Sequence, residues 1–267
     1  MTPFAFVFPG QGSQSVGMLD AWGDHPAVRQ ALAEGGLEPA AMAGHSLGEY
    51  TALVAAGALS LADAMPLVRF RAQAMQQAVP TGTGAMAAII GLDAAAVREV
   101  CADVMARSGE IVEPANFNDV KQIVISGPTA GVDMACEVLK AKGAKRALLL
   151  AVSAPFHSSL MKPAAEALRQ RLQAVPFKTP RVPIVNNVDV AVQTTPEALR
   201  DALVRQACGP VRWVEVMRAL RARGLNHIVE CGPGKVLANL ARRMDGELVT
   251  GAVHDPASLA DTKGLLA

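Results

Sequence analysis

Residues 40–57 read AAMAGHSLGEYTALVAAG. Ala40 to Gly44 is a short apolar, strand-like run, and Leu47 to Gly57, rich in alanine and leucine, suits a helix. Between them lies Gly44-x-Ser46-x-Gly48. A sharp strand-to-helix turn needs small residues on both sides of the serine, because its strained backbone leaves no room for a Cβ there. Ser46 then sits at a helix N-terminus, where the dipole and backbone N–H groups favour developing negative charge. Gly-x-Ser-x-Gly is common by chance, and a turn that merely caps a helix is the plainer alternative. The strand before it and the helix after it favour a nucleophile.

Working outward, apolar runs alternate with helical patterns in the order of a parallel-sheet α/β protein. The expected strands of that sheet are Phe4 to Phe8, Ala40 to Gly44, Val182 to Asn186 and His227 to Glu230. Between Gly84 and Ala151 the rhythm changes. Met86 to Ile90, Ile111 to Asn116, Gln122 to Ser126 and Lys145 to Ala151 read as strands, with helices over Ala94 to Arg107 and Gly131 to Lys142. That order is βαββαβ, the ferredoxin-like unit. The expected organisation is a large hydrolase-like α/β domain, residues 1–83 and 152–267, carrying an inserted ferredoxin-like small domain, residues 84–151.

A chain of 267 residues that is 51% hydrophobic can bury a substantial core. Its charge is nearly balanced, 25 Lys and Arg against 24 Asp and Glu, which gives no whole-chain pull toward nucleic acid or a membrane surface. Lys140, Lys142, Lys145 and Arg146 form a local basic cluster that a solvated helix end explains. The four cysteines show no CxxC or Cys/His ligand spacing, so neither a disulfide framework nor a zinc site is expected. No basic leader and no apolar stretch near the ~20 residues of a bilayer span is evident, which leads to the expectation of a soluble cytoplasmic protein.

A serine nucleophile needs a base from elsewhere in the fold. His45 adjoins Ser46 on a strand end and should point to the opposite face. His227 lies in an apolar strand, and His25 and His254 sit in polar segments without a presenting turn. His157 stands in SAPFHSSLMKP, a proline-marked loop leading into a helix, as a residue at a strand end of an α/β site would. A structural loop histidine is the alternative. Ser60 to Val79 reads as a helix with Ser60 as N-cap and Asp63 completing the cap. Pro66 is expected to detach its first turn. Arg69 falls on the polar stripe with Asp63, Gln73 and Gln76. Arg71 falls on the apolar stripe with Leu67, Ala74 and Ala78, so its guanidinium must meet an anion inside. The spacing leaves open whether that anion is a protein carboxylate or a substrate's.

The first loop, FPGQGSQSVGM after the strand Phe4 to Phe8, raises the question of a phosphate cradle. A dinucleotide fingerprint starting at Gly10 and Gly12 would need glycine at position 15, and Ser15 stands there. The loop is better placed to offer a backbone N–H to an oxyanion.

Taken together, FPGQGSQ, GHSLGEY, FRAQAM, GTGAMAAIIGL, APFHSSLMKP, VPIVNNVDV and ECGPGKVL resemble the malonyl-CoA:acyl carrier protein transacylases, an acyltransferase family of bacterial fatty-acid synthesis. The resemblance runs in order over nearly the whole chain. It implies a Ser46–His157 dyad, an oxyanion hole from the backbone N–H groups of Gln11 and Leu47, Arg71 as partner of the malonyl carboxylate, and the main-chain carbonyl of Gln206 orienting His157. It implies malonyl-CoA and acyl carrier protein as partners, no cofactor and no metal. Phe156, just before the histidine, resembles the malonyl-selective members. A serine acylhydrolase sharing the elbow and a non-catalytic carrier-protein binding subunit are the competing classes.

Two departures stand out. Gln11 and Ser46 are only 35 positions apart, with a join near Glu34 and Gly35 where the family has further helices. Losing that much packed helix should cost more than the ~5–15 kcal/mol of a whole domain, so the native chain is expected to carry more residues there. An intact mass equal to 27.8 kDa would reject that. Asp119-Val-Lys121 also replaces a small-residue turn.

Overall fold

The computed structural model describes residues 2–11, 13, 37–152 and 154–267. The Glu34–Gly35 join and His25 lie outside the described residues, as does most of the first loop beyond Gln11. The chain divides into two compact units. One is Met1–Ala64, Phe177–Pro196 and Glu215–Ala267, and the other is Met65–Pro176 and Glu197–Val214.

The first unit is built on a five-stranded, all-parallel sheet. Its strands are β1 (Phe4–Phe8), β2 (Ala41–Gly44), β7 (Ile184–Val185), β8 (His227–Cys231) and β9 (Val249–Val253), in the order β7-β2-β1-β8-β9. Every residue of β1 and β2 is buried, as expected of central parallel strands covered on both faces. Helix α1 (Gly48–Ala55) follows β2 directly, while α8 (Val236–Met244) and α9 (Pro256–Leu266) flank β9. Among the described strands, β9 was not expected from sequence. Its central Gly251 weakens the apolar pattern that marks a strand, although Thr262 and Leu265 of α9 pack close over that glycine.

The expected Val182 to Asn186 strand shrinks to two residues. Pro183 cannot donate to the ladder, and after Val185 the main chain turns, with the Asn186 N–H donating to Ala191 O at 3.0 Å.

The second unit contains the βαββαβ pattern. β3 (Gly84–Ile90), β4 (Glu113–Asp119), β5 (Gln122–Pro128) and β6 (Arg146–Leu149) form an antiparallel sheet in the order β4-β5-β3-β6. Helices α3 (Ala94–Ser108) and α4 (Thr129–Ala141) cover one face. Alternation decides which face. Ala87, Ile89, Ile123 and Ile125 point into the helices with Val97, Val100, Val132 and Leu139, and Met86, Ala88 and Val124 point the other way, where Phe156 packs on them. Asp119 pairs with Gln122, so the Asp119-Val-Lys121 departure forms a tight two-residue hairpin turn. Lys142 of the basic cluster pairs with Glu99 at 2.6 Å. Asp93 caps α3 by accepting from the Ala96 N–H at 2.9 Å.

Helix α2 (Leu61–Gln77) is continuous through Pro66, so the expected separate first turn is absent. Ser60 and Asp63 form the predicted cap: the Asp63 N–H donates to Ser60 Oγ, and the Ser60 hydroxyl donates to the Asp63 carboxylate. The remaining helices among the described residues are α5 (Lys162–Gln173), α6 (Pro196–Cys208) and α7 (Trp213–Ala222).

Candidate active site

Ser46 has the geometry of a nucleophile elbow. Its φ is +52°, a left-handed value that a β-substituted residue adopts only when the surroundings enforce it. The flanking glycines permit the close approach that this turn needs. A Cβ on Gly44 would lie 2.0 Å from the Gly48 carbonyl, and one on Gly48 would lie 2.1 Å from the Phe8 carbonyl oxygen. Helix α1 therefore starts hard against the end of β1, which only two glycines permit. The turn tightens at once, with the N–H groups of Gly48, Glu49 and Tyr50 donating to the carbonyls of His45, Ser46 and Leu47. Leu47 immediately precedes this first turn, at the positive end of the helix dipole.

Gln11 is exposed, one residue beyond Gly10, whose own position lies against His45: a Cβ there would come within 2.8 Å of the His45 carbonyl oxygen. The first loop thus starts beside the elbow within the same unit.

Sequence reasoning missed what holds this turn from outside. Asn187 is fully buried. Its Oδ1 accepts from the Ser46 N–H at 2.7 Å, its Nδ2 donates to the Gly44 carbonyl at 2.6 Å, and its own N–H donates to Glu49 Oε2 at 2.9 Å. Glu49 is itself only 3% exposed. Its signal was present in part: a Glu in the first turn of a helix favours the dipole, but nothing local pointed to residue 187.

The second unit brings His157, Arg71 and Gln206 together. His157 sits at φ +59°, again left-handed, and is buried. Its loop is fixed from three sides. The ring of Pro155 fills the space beside Gly84, the Ser158 hydroxyl donates to Pro155 O at 2.7 Å, and the Ser159 N–H donates to Glu113 Oε2 at 2.6 Å. A 3₁₀ turn over Ser159–Met161 then leads into α5.

The imidazole Nδ1 lies 3.0 Å from Gln206 O and 3.2 Å from Gly209 O. Carbonyl oxygens only accept, so Nδ1 carries the proton and the neutral ring presents its lone pair at Nε2. This is the tautomer a general base requires, held by main-chain carbonyls where a hydrolase triad uses a carboxylate.

Arg71 is 5% exposed and donates through Nη2 to Gln206 Oε1 at 3.2 Å, whereas Arg69, two residues before it, is exposed. The helical stripe drawn from the sequence thus separated the two arginines correctly. Phe156 packs against Met86, Ala88, Ala115 and Val124 on one side and against Met75, Met161 and Ala164 on the other. His254 lies near the Asp255 carboxylate at 3.5 Å, and His227 is a β8 residue paired with Val249.

The acyl transferase domain family matches residues 26–245. The malonyl CoA-acyl carrier protein transacylase of Escherichia coli (strain K12) is 45% identical over 306 aligned positions, covering 97% of this chain and 98% of that protein. With 267 residues here, that alignment must include positions with no counterpart in this chain. An acyl-carrier-protein S-malonyltransferase from Burkholderia pseudomallei 1710b superposes with a TM-score of 0.93 at 52% identity, covering 98% of this chain and 99% of that one. A malonyl-transacylase solved in complex with its type II PKS acyl-carrier protein gives 0.92 at 42% identity, covering 97% and 98%. The chain belongs to the acyl transferase domain family and, within it, to the malonyl CoA-acyl carrier protein transacylases.

Proposed function

We propose that the protein transfers a malonyl group from malonyl-CoA to the phosphopantetheine thiol of acyl carrier protein through an ester on Ser46. His157 Nε2 takes the Ser46 hydroxyl proton as Oγ attacks the thioester carbonyl. The C–S bond to CoA breaks, and the proton passes to the departing thiolate. In the second half the carrier thiol gives its proton to His157 and attacks the seryl ester, and Ser46 Oγ leaves and is reprotonated. Two thioesters of similar energy are exchanged, so residues of this chain suffice for every proton transfer. The backbone N–H groups of Gln11 and Leu47 hold the oxyanion of each tetrahedral intermediate, one such donor being worth on the order of a hundred- to a thousandfold in rate.

The observation that carries the reading is the buried Arg71 guanidinium, tied to the residue whose carbonyl orients the histidine. An acyl group ending in a carboxylate is the anion such a fork accepts bidentately. Phe156, half-buried and next in sequence to His157, is the residue to which this reading assigns the preference for malonyl over branched acyl groups.

The same reading treats residues 84–151 as an insert into an acyltransferase domain formed by 1–83 and 152–267, supported by the βαββαβ order of that segment and the single four-stranded sheet it forms. It also sets the reaction in the cytoplasm. All four cysteines are free thiols, and no described helix is long and apolar enough to cross a membrane.

Intact mass spectrometry with and without malonyl-CoA tests the chemistry. Covalent loading of the wild type that disappears in Ser46→Ala is expected, and loading retained in that variant rejects Ser46. Rapid CoA release without any carrier protein would instead indicate transfer to water.

A further inference from the structure

The side chain of Asn187 takes no part in the transfer chemistry described above, yet it is fully buried against the elbow. β2 and β7 pair in parallel with Met42 opposite Ile184 and Ala43 opposite Val185. Continued by two residues, that register sets Asn187 opposite His45. In a parallel ladder, a residue opposite position 45 would donate its N–H to the carbonyl of position 44 and accept at its C=O from the N–H of position 46.

The main chain of Asn187 does not do this, because the strand has already turned away and its N–H goes to Glu49 Oε2. The side-chain amide does it instead: Nδ2 donates to Gly44 O and Oδ1 accepts from the Ser46 N–H. A primary amide here replaces a peptide group as the last rung of the sheet.

We propose that Asn187 is the positioning residue of the nucleophile, a side-chain rung that holds Ser46 in its left-handed conformation and so aims Oγ. The proposal rests on the reading of Ser46 as nucleophile given above. The Ser46 N–H and Cα are adjacent, so fixing the amide at φ +52° fixes the direction of the Cα–Cβ bond. With the rung gone, the backbone relaxes toward an ordinary φ and Oγ swings away from its line of attack. Glu49 completes the device by anchoring the Asn187 main chain from the first turn of α1.

Asn187→Asp keeps the size and the acceptor for Ser46 but sets a carboxylate oxygen against the Gly44 carbonyl. Asn187→Leu removes both bonds. In stopped-flow acylation by malonyl-CoA, each variant is expected to lose about a hundredfold in the acylation rate per folded molecule, the scale of a misplaced reacting group. The malonyl-CoA concentration at half-saturation should move less than about threefold, since the rung does not touch substrate. A merely structural role would lower the melting temperature and the folded fraction while leaving the rate per folded molecule unchanged, and that result overturns the proposal.

Should neither variant fold, hydrogen exchange at the wild-type Ser46 amide decides. Protection comparable to the β2 core is expected, and exchange at the rate of an open loop overturns the rung. The same measurement separates this inference from the reading beneath it. Loss of Ser46 loading in the wild type would reject the nucleophile, whereas a fast-exchanging Ser46 amide in a loading-competent enzyme rejects only the rung.

Discussion

The guanidinium of Arg71 donates through Nη2 to the side-chain oxygen of Gln206 at 3.2 Å. The main-chain oxygen of the same glutamine receives His157 Nδ1 at 3.0 Å. One fully buried residue of α6 thus holds a cation with its side chain and a histidine with its backbone. The two attachments are chemically separable, because a substitution changes the side chain and leaves the carbonyl.

Gln206→Leu should therefore loosen Arg71 while sparing His157. A hydrogen bond to a charged group contributes about 1.5–3 kcal/mol, so the preference for malonyl-CoA over acetyl-CoA is expected to fall about tenfold. Acetyl transfer should be nearly unaffected. Arg71→Ala should abolish the preference. Competition between the two thioesters, scored by intact mass, measures both, and an unchanged ratio in Arg71→Ala refutes the carboxylate role.

His157→Ala removes the proton acceptor but not the arginine. Acylation should slow by about a hundred- to ten-thousandfold with the acyl preference preserved. Single-turnover kinetics with malonyl-CoA and acetyl-CoA supply both quantities, and a variant that acylates at the wild-type rate removes His157 from the mechanism.

Gly48→Ala would place a methyl group 2.1 Å from the Phe8 carbonyl oxygen, a backbone atom inside the central sheet. Overpacking of this kind costs about 1–3 kcal/mol where neighbours yield. A main-chain carbonyl in a parallel ladder yields little, so a loss at or above the top of that range is expected in urea unfolding. A change below about 0.5 kcal/mol would mean that α1 does not press on β1 as described.

Glu230 offers a test by pH. Burial pushes its carboxyl above the ordinary value of 4.5, an effect the backbone N–H groups of Ala238, Leu237 and Val236 only partly offset. Between 4.5 and the raised folded value, the folded protein holds a proton that the unfolded chain has released. Stability attributable to this group is therefore full below that window, falls as pH rises through it, and is flat above. Glu230→Gln keeps an oxygen for the Ala238 N–H, which now donates to Oε2 at 2.9 Å, and removes the ionisation. The difference in melting temperature, variant minus wild type, should grow with pH across that window. A difference independent of pH would show that Glu230 does not titrate on folding.

Legibility in the sequence followed the range of the interaction. Ser46 and its glycines, the Ser60–Asp63 cap and the inward turn of Arg71 depend on residues within about four positions, and all could be read from local pattern. The βαββαβ order was likewise legible, because its apolar strand runs and helical patterns follow one another locally along the chain. Pro183 clipped β7, and Gly251 hid β9. Asn187 and Glu113 escaped notice because their partners, Ser46 and Ser159, lie 141 and 46 positions away. The choice of His157 over four other histidines drew on its proline-marked loop, but its hold on Gln206 came only from the family resemblance.

The span between Ser46 and Asn187 has a consequence for synthesis. A growing chain makes its serine early, and the amide that closes the last rung emerges 141 residues later, after the whole four-stranded sheet has left the ribosome. Until then the Gly44 carbonyl and the Ser46 N–H lack the bonds that Asn187 makes to them in the folded protein. On the rung proposed above, an unfinished polypeptide carries the serine without its positioning amide until residue 187 of 267 has been made.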